Sequence, residues 1–274
     1  MSFSNNNNCS EVRAEIGVFS AIENIGFITF NRPEHFNTLN KQMSLELLKL
    51  AIKCEEDNTL RCLVFTGEGD QSFCAGGDLY SFKNSGHNLI NEVREFIVSL
   101  HAAISKFCRI KAPIIASING VAAGAGLSFA SFPSFAIASE NATFVSSYTN
   151  VGLTPDASSS YFLPKIIGHR RYMELVLTNK TLSVDEALNW GLINKIVKPN
   201  KLLEETIKIA QSLCKGPTLA YGKIKELSLN SFHSSLESQL EMEARFFTES
   251  LKSKDFEIGV DSFTKKEKPD FKGH

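Results

Sequence analysis

The stretch Ile118-Asn119-Gly120-Val121-Ala122-Ala123-Gly124-Ala125-Gly126 decides how this chain folds. It closes a compact apolar run, Ala112–Asn119, whose length and composition predict a buried strand. Small residues then continue from Gly120 to Phe132, where Pro133 interrupts them. Glycine and alanine at such density let the backbone approach a neighbour or a ligand closely. A second stretch of the same kind lies upstream, Phe73-Cys74-Ala75-Gly76-Gly77-Asp78-Leu79. It follows another buried-strand pattern, Leu60–Thr66, and a turn at Gly67-Glu68-Gly69-Asp70. Neither stretch is a phosphate loop, because no Gly-Lys-Ser/Thr follows. Gly124-Ala125-Gly126 lacks the third glycine of a dinucleotide fingerprint. Each stretch alone reads as a tight turn beside a closely packed helix.

Working outward, Val12–Ser20 and Ile25–Asn31 read as short strands, with Asn24 marking a hairpin between them. Asn31-Arg32-Pro33 ends the second strand. Asn40 can cap a helix through Met43, Leu47 and Ile52. A helix after Asp185 runs to Trp190 and stops at Gly191. From Leu202 onward the pattern is helical, and no strand signal follows Val197. Alternating strands and helices followed by helices alone predict an α/β core over residues 11–200 and a helical segment over 201–274. Ser81–Asn91, containing Asn84-Ser85-Gly86-His87-Asn88, reads as a mobile loop lining a pocket.

Composition sets the limits. A chain of 274 residues, 43% of them hydrophobic, buries enough core to need neither disulfides nor metal. Lys+Arg of 29 against Asp+Glu of 30 leaves a net charge of −1, so nothing steers nucleic acid or an acidic membrane. No apolar run approaches the ~20 residues of a membrane span. Cys9, Cys54, Cys62, Cys74, Cys108 and Cys214 form no CxxC and no zinc spacing. Scattered thiols of this kind fit a reducing compartment, so the cytoplasm is the expected location and no metal site is expected. Residues 1–10 are Asn- and Ser-rich and read as a disordered tail, not a secretory signal.

Taken together, the two glycine-rich stretches resemble the paired oxyanion-hole motifs of the crotonase (enoyl-CoA hydratase/isomerase) superfamily. Asn31-Arg32-Pro33, Ser139-Glu140-Asn141-Ala142, Ala187-Leu188-Asn189-Trp190-Gly191-Leu192 and Lys268-Pro269-Asp270-Phe271 match further stretches of it. The resemblance runs from about Ile25 to the C-terminus. It implies an α/β, ClpP-like spiral of ββα units with a C-terminal helical trimerisation segment, assembling as a homotrimer or hexamer. It implies an acyl-CoA thioester as substrate, with coenzyme A part of that substrate and no separate cofactor. The backbone N–H groups of Gly77 and Ala125 would then point at the thioester oxygen. Preorganised donors in a dry site stabilise the developing oxyanion by about 3–4 kcal/mol each. Ala125 would open a helix whose N-terminal dipole favours the same charge. The resemblance also assigns coenzyme A contacts to His35, Phe36, Ala75, Asp78 and Leu79. Phe263 and Lys266 would reach a neighbouring subunit's coenzyme A, with Lys266 meeting a phosphate.

The side chains around the hole decide the reaction. The two glutamates of the hydratases fall at Ser128 and Tyr148 here, so a two-carboxylate hydration is not expected. Asp156, in Gly152-Leu153-Thr154-Pro155-Asp156-Ala157, is by itself good turn or N-cap chemistry. By resemblance it holds the place of the single catalytic carboxylate of enoyl-CoA isomerases, both the peroxisomal type and the phenylacetate-pathway type. One carboxylate suffices to move a proton from C2 to C4 of a 3-enoyl thioester. Val151, Leu153 and Phe162 are expected to keep water from it. Tyr148 reads either as a packing aromatic or as a hydrogen-bond donor to the acid.

Two classes of alternative stay open, the first being another crotonase reaction, either an atypical enoyl-CoA hydration or a dehalogenation. In 4-chlorobenzoyl-CoA dehalogenases an aspartate at this place is a nucleophile, with a histidine base that matches His101. The tryptophan paired with that nucleophile falls at Tyr148, however, and the only tryptophan is Trp190. The other alternative is a non-catalytic acyl-CoA-binding module. Ser158-Ser159-Ser160 stands where many relatives have Gly-Gly-Thr, and Pro133-Ser134 also departs from the usual pattern.

Overall fold

Side chains on successive residues of the strands go to opposite cores, and this alternation organises the molecule. A computed structural model describes residues 12–19, 22–84 and 86–274, with side chains from Asn24 onward. The tail expected over residues 1–10 lies outside the described residues.

The elements run β1 (Val12–Phe19), β2 (Ile22–Phe30), α1 (Lys41–Glu56), β3 (Cys62–Gly67), β4 (Ser72–Cys74), α2 (Leu79–Asn84), α3 (Leu89–Arg109), β5 (Ile114–Ile118) and β6 (Val121–Ala123). There follow α4 (Ala125–Ser131), β7 (Phe135–Ser139), β8 (Thr143–Val145), α5 (Ser159–Ile167), α6 (His169–Thr178), β9 (Leu182–Ser183), α7 (Val184–Trp190) and β10 (Lys195–Val197). The chain ends in α8 (Leu202–Cys214), α9 (Thr218–Asn230), α10 (Leu236–Ser250) and α11 (Lys254–Lys265).

β1, β2, β3, β5, β7 and β10 form one sheet in that order, antiparallel between β1 and β2 and parallel thereafter. β4, β6, β8 and β9 form a smaller sheet. Each of the pairs β3–β4, β5–β6 and β7–β8 gives its first strand to the large sheet and its second to the small one. This is the ββα spiral expected from the resemblance.

Strand pleating sends alternate side chains to opposite faces. Phe30, Phe65, Ile114 and Ala116 enter one core with α1, α3 and α4. Phe27, Val64, Ile115 and Ile137 enter the other, beneath α8. The first core is aromatic at its centre. Phe30 and Phe65 each meet Phe129 edge to face, with ring centroids 5.1 and 5.3 Å from it, a geometry that adds to area burial.

Two local expectations need correction. Asn24 lies inside β2 at φ 85° rather than at a hairpin tip, and its C=O accepts from the Arg61 N–H. Ser81–Asn91 is no mobile loop: α2, a 3-10 turn at Gly86–Asn88 and the start of α3 occupy its described residues. Asp78 Oδ1 accepts from the Ser81 N–H at 3.0 Å and so caps α2. Phe82 then packs edge-on against Phe96 of α3, centroids 5.2 Å apart. The Asn40 cap is as expected, its side chain accepting from the Met43 N–H at 2.9 Å. Gly191 ends α7 at φ 80°. No helix among the described residues is long and apolar enough to cross a membrane.

Candidate active site

The strands β4, β6 and β8 lie side by side, so the loops at their C-terminal ends emerge together. Parallel strands place such loops at one edge, where ligands bind in open α/β sheets. The loop after β4 carries Ala75 to Asp78, the one after β6 carries Gly124, and the one after β8 leads to Tyr148. A cavity of about 220 Å³ opens between them. Gly77, Ala125, Tyr148 and Asp156 line it on the polar side, and Phe82, Val93, Phe96, Ile97, Val151 and Leu153 on the apolar side.

The orientation of the Gly77 amide follows from a single β-bridge. Leu39 donates its N–H to Gly76 O (2.7 Å) and accepts from the Asp78 N–H (2.8 Å). Those groups face Leu39, so the N–H of Gly77 between them faces the other way. Ala125 is the first residue of α4, where a helix N–H has no internal partner. Neither N–H donates to any group among the described residues.

Two glycines allow the loops to meet. Gly124 sits at φ 52°, ψ −122°, a conformation that a side chain disfavours strongly. A Cβ on Gly126 would stand 1.8 Å from Cys74 O, so α4 can lie on β4 only because this residue has none.

Asp156 reaches the cavity from the turn before α5. Its Oδ1 accepts from the Tyr148 hydroxyl at 2.5 Å, which fixes the second of the two sequence readings of Tyr148. Its backbone C=O accepts from Ser159 N, Ser159 Oγ and Ser128 Oγ at 3.0, 2.8 and 3.3 Å. No hydrogen-bond donor meets Oδ2 among the described residues. Phe162, expected beside the acid, lines a different hollow together with His101. Val151 and Leu153 do line the site, each half exposed.

Burial, and then the Asp156 carboxylate beside it, push the Tyr148 phenol well above its ordinary value. Tyr148 is therefore a fixed donor. The sign of the linkage follows: the unfolded phenol ionises near ~10 and the folded one does not, so this stability is full below that pH and falls as pH rises above it. Tyr148→Phe is expected to flatten that alkaline decline in denaturant titrations. It should also cost about tenfold in kcat, through a less firmly held carboxylate.

The turn itself is strained. Ala157 and Ser158 are consecutive left-handed residues, at φ 49° and 74°. Ser158 Oγ is also buried without a partner. The left-handed region costs an L-residue about 1–2 kcal/mol, against about 0.5–1 kcal/mol for glycine's freedom when unfolded. Ser158→Gly is thus expected to raise unfolding free energy by about 1 kcal/mol, measured by urea denaturation. The serine standing where relatives have glycine was the sequence signal for this conformation.

The other positions named from sequence divide into three groups. Ala75 and Leu79 line the cavity. The His35–Phe36 turn is tied to it, since Phe36 O accepts from the Ala75 N–H at 3.1 Å, and the Phe36 ring stays exposed. Asp78 is not among the residues lining the cavity, and its side chain serves the scaffold. Its Oδ2 pairs with buried Arg32 at 3.0 Å, its Oδ1 caps α2, and its backbone N–H is spent on Leu39.

Phe263 and Lys266 lie on α11 and at its C-terminal cap, away from the site. Phe263 lines a separate hollow with Phe256 and Phe271 that shares no residue with the site. Sequence reasoning missed Asn37, wholly buried at φ 55°. It accepts from Arg32 N at 2.9 Å and donates to Glu68 O and Ser72 O at 3.0 and 2.7 Å, clamping the loops that carry the first motif. Among the described residues no group of side chains could hold a metal ion.

A fold that presents two unpaired amides and one carboxylate in this way defines the crotonase class. Comparison with known proteins agrees: the family model for enoyl-CoA hydratase/isomerase matches residues 20–274. The chain belongs to that family and is an acyl-CoA enzyme of the crotonase superfamily. It is 33% identical over 250 residues to the 1,2-epoxyphenylacetyl-CoA isomerase of Escherichia coli K12, covering 90% of this chain and 94% of that one. It is 34% identical over 224 residues to 4-chlorobenzoyl coenzyme A dehalogenase-2 of an Arthrobacter species, covering 81% of each. The crystal structure of an enoyl-CoA hydratase from Bacillus anthracis superposes with a TM-score of 0.89 at 27% identity, over 97% of this chain and 100% of that one.

Proposed function

We propose that the chain is a Δ3,Δ2-enoyl-CoA isomerase of fatty-acid or aromatic-acid degradation. The observation that carries this reading is the lone acid: of the described residues lining the cavity, only Asp156 bears a carboxylate. Hydration by two carboxylates has no second acid to use, because Ser128 and Tyr148 occupy those places.

The chemistry follows from the geometry. Asp156 Oδ1 is held by Tyr148, and Oδ2 accepts no hydrogen bond from the described residues. Oδ2 takes the proton from C2 of a 3-enoyl thioester. Negative charge moves to the thioester oxygen, to which the N–H groups of Gly77 and Ala125 donate hydrogen bonds. The same carboxyl returns the proton to C4 of the dienolate, so base becomes acid without a second group. The apolar wall of Phe82, Phe96 and Ile97 excludes water that would otherwise add to the product.

His35, Phe36, Ala75, Asp78 and Leu79 are assigned to coenzyme A in this reading. Phe263 and Lys266 are assigned to it only through a trimer or hexamer, with residues 201–274 at the interface.

A dehalogenase is the second reading. It has in its favour the Arthrobacter relative and His101, whose Nε2 lies 4.0 Å from Asp156 Oδ2. The deciding experiment is a parallel assay of 3-enoyl-CoA thioesters of several lengths and of 4-chlorobenzoyl-CoA. Conversion of the first to 2-enoyl-CoA without chloride release from the second is the expected result. The reverse pattern would replace the isomerase with the dehalogenase. Binding of both without turnover would point to a binding module.

A further inference from the structure

His101 stands behind the acid, not in front of it. It lies on α3 one helical turn beyond Ile97, a wall of the acyl cavity, yet His101 is not part of that wall. Its imidazole opens instead onto a second hollow of about 270 Å³ beside Cys108, Arg109 and Tyr161. Its Nε2 is 4.0 Å from Asp156 Oδ2, beyond hydrogen-bond reach. It is within reach of something else: the N–H of Ala157 donates to Nε2 at 3.2 Å.

Ala157 is fully buried and held at φ 49°. A buried backbone N–H must find an acceptor, and losing one costs its full desolvation. The peptide that carries this N–H is the one joining Asp156 to Ala157. Whatever fixes it therefore fixes the direction from which the Asp156 side chain leaves the backbone. A strained turn persists only where its surroundings over-determine it.

We propose that His101 is a positioning residue for Asp156. Its neutral imidazole, with the proton on Nδ1, accepts the Ala157 N–H and so locks the carboxylate's orientation without touching the substrate. One rigid helix thereby sets both the acyl wall, through Val93, Phe96 and Ile97, and the base. The kinetic consequence rests on the isomerase reading. The structural one does not.

The test compares His101→Gln, whose amide oxygen can still accept, with His101→Leu, which cannot. His101→Leu is expected to lower kcat on 3-enoyl-CoA about 10- to 100-fold with KM within about threefold, the signature of a misplaced rather than missing base. His101→Gln should recover kcat to within about fivefold of wild type. In substrate-free protein, the amide proton resonance of Ala157 should move in the leucine variant and return toward its wild-type position in the glutamine variant. Wild-type kcat in His101→Leu, equal loss in both variants, or an unmoved Ala157 resonance would each overturn the proposal. If wild type does not isomerise 3-enoyl thioesters, the isomerase reading fails, and the Ala157 resonance still decides the positioning role.

Discussion

Asp156→Asn is expected to lower kcat for isomerisation of 3-enoyl-CoA by about a thousandfold, within the ~10²–10⁴ range of general acid–base catalysis, and to leave KM nearly unchanged. The substitution is nearly isosteric. The amide oxygen can still accept from the Tyr148 hydroxyl, as Oδ1 does at 2.5 Å. The amide nitrogen takes the place of Oδ2 and cannot receive a proton. The oxyanion donors of the proposed mechanism are backbone groups and remain, so substrate binding and some polarisation of the thioester are expected to survive. Stability should stay within about 0.5 kcal/mol of wild type, since no packing changes and the carboxylate is partly solvated. Steady-state kinetics beside a urea titration test both halves. A variant that kept its rate would leave the cavity without a base, because no other carboxylate among the described residues lines it.

The meeting of the two glycine-rich loops was legible in the sequence, because it depends on local composition. Gly76, Gly124 and Gly126 must be small because backbone meets backbone there, and smallness is visible in a sequence. The buried strands were legible from their apolar runs. What could not be read was whatever couples distant positions. The side chain of Asp78 pairs with Arg32, 46 residues upstream. Nothing local announces that pairing. The clamp by Asn37 joins loops 31 and 35 residues apart. The one hint was asparagine's tolerance of positive φ. The His101 contact spans 56 residues, and only the fold brings α3 behind the Asp156 turn. Helix α2 was misread as a loop for a related reason. Gly86–Asn88 does turn, as its composition suggests, while the cap from Asp78 and the packing of Phe82 on Phe96 hold the residues before it in a helix.

Gly126→Ala is expected to destabilise the protein by about 3 kcal/mol and to lower kcat/KM by about a hundredfold, a pairing of effects that tests how the oxyanion hole is built. The new Cβ would lie 1.8 Å from Cys74 O, 2.6 Å from Cys74 C and 3.0 Å from Cys74 Cβ. No flexible side chain can yield there, because the first two are backbone atoms. Cys74 is itself buried and paired across the small sheet with Ala122, also buried. Relief therefore requires α4 and β4 to part as units. They carry Ala125 and lead to Gly77, so parting them separates the two amides that the proposed mechanism brings to one oxygen. Gly77→Ala makes the contrasting case. Its Cβ would meet only the Phe82 ring, at 3.2 Å, and a ring can turn aside. That variant should lose little stability, while the displaced ring narrows the acyl wall. Urea titrations and kinetics on the two variants separate a hole held open by backbone contact between β4 and α4 from one held open by its own loop. Equal stability losses would favour the loop, and a large loss confined to Gly126→Ala would place the constraint at the strand–helix contact.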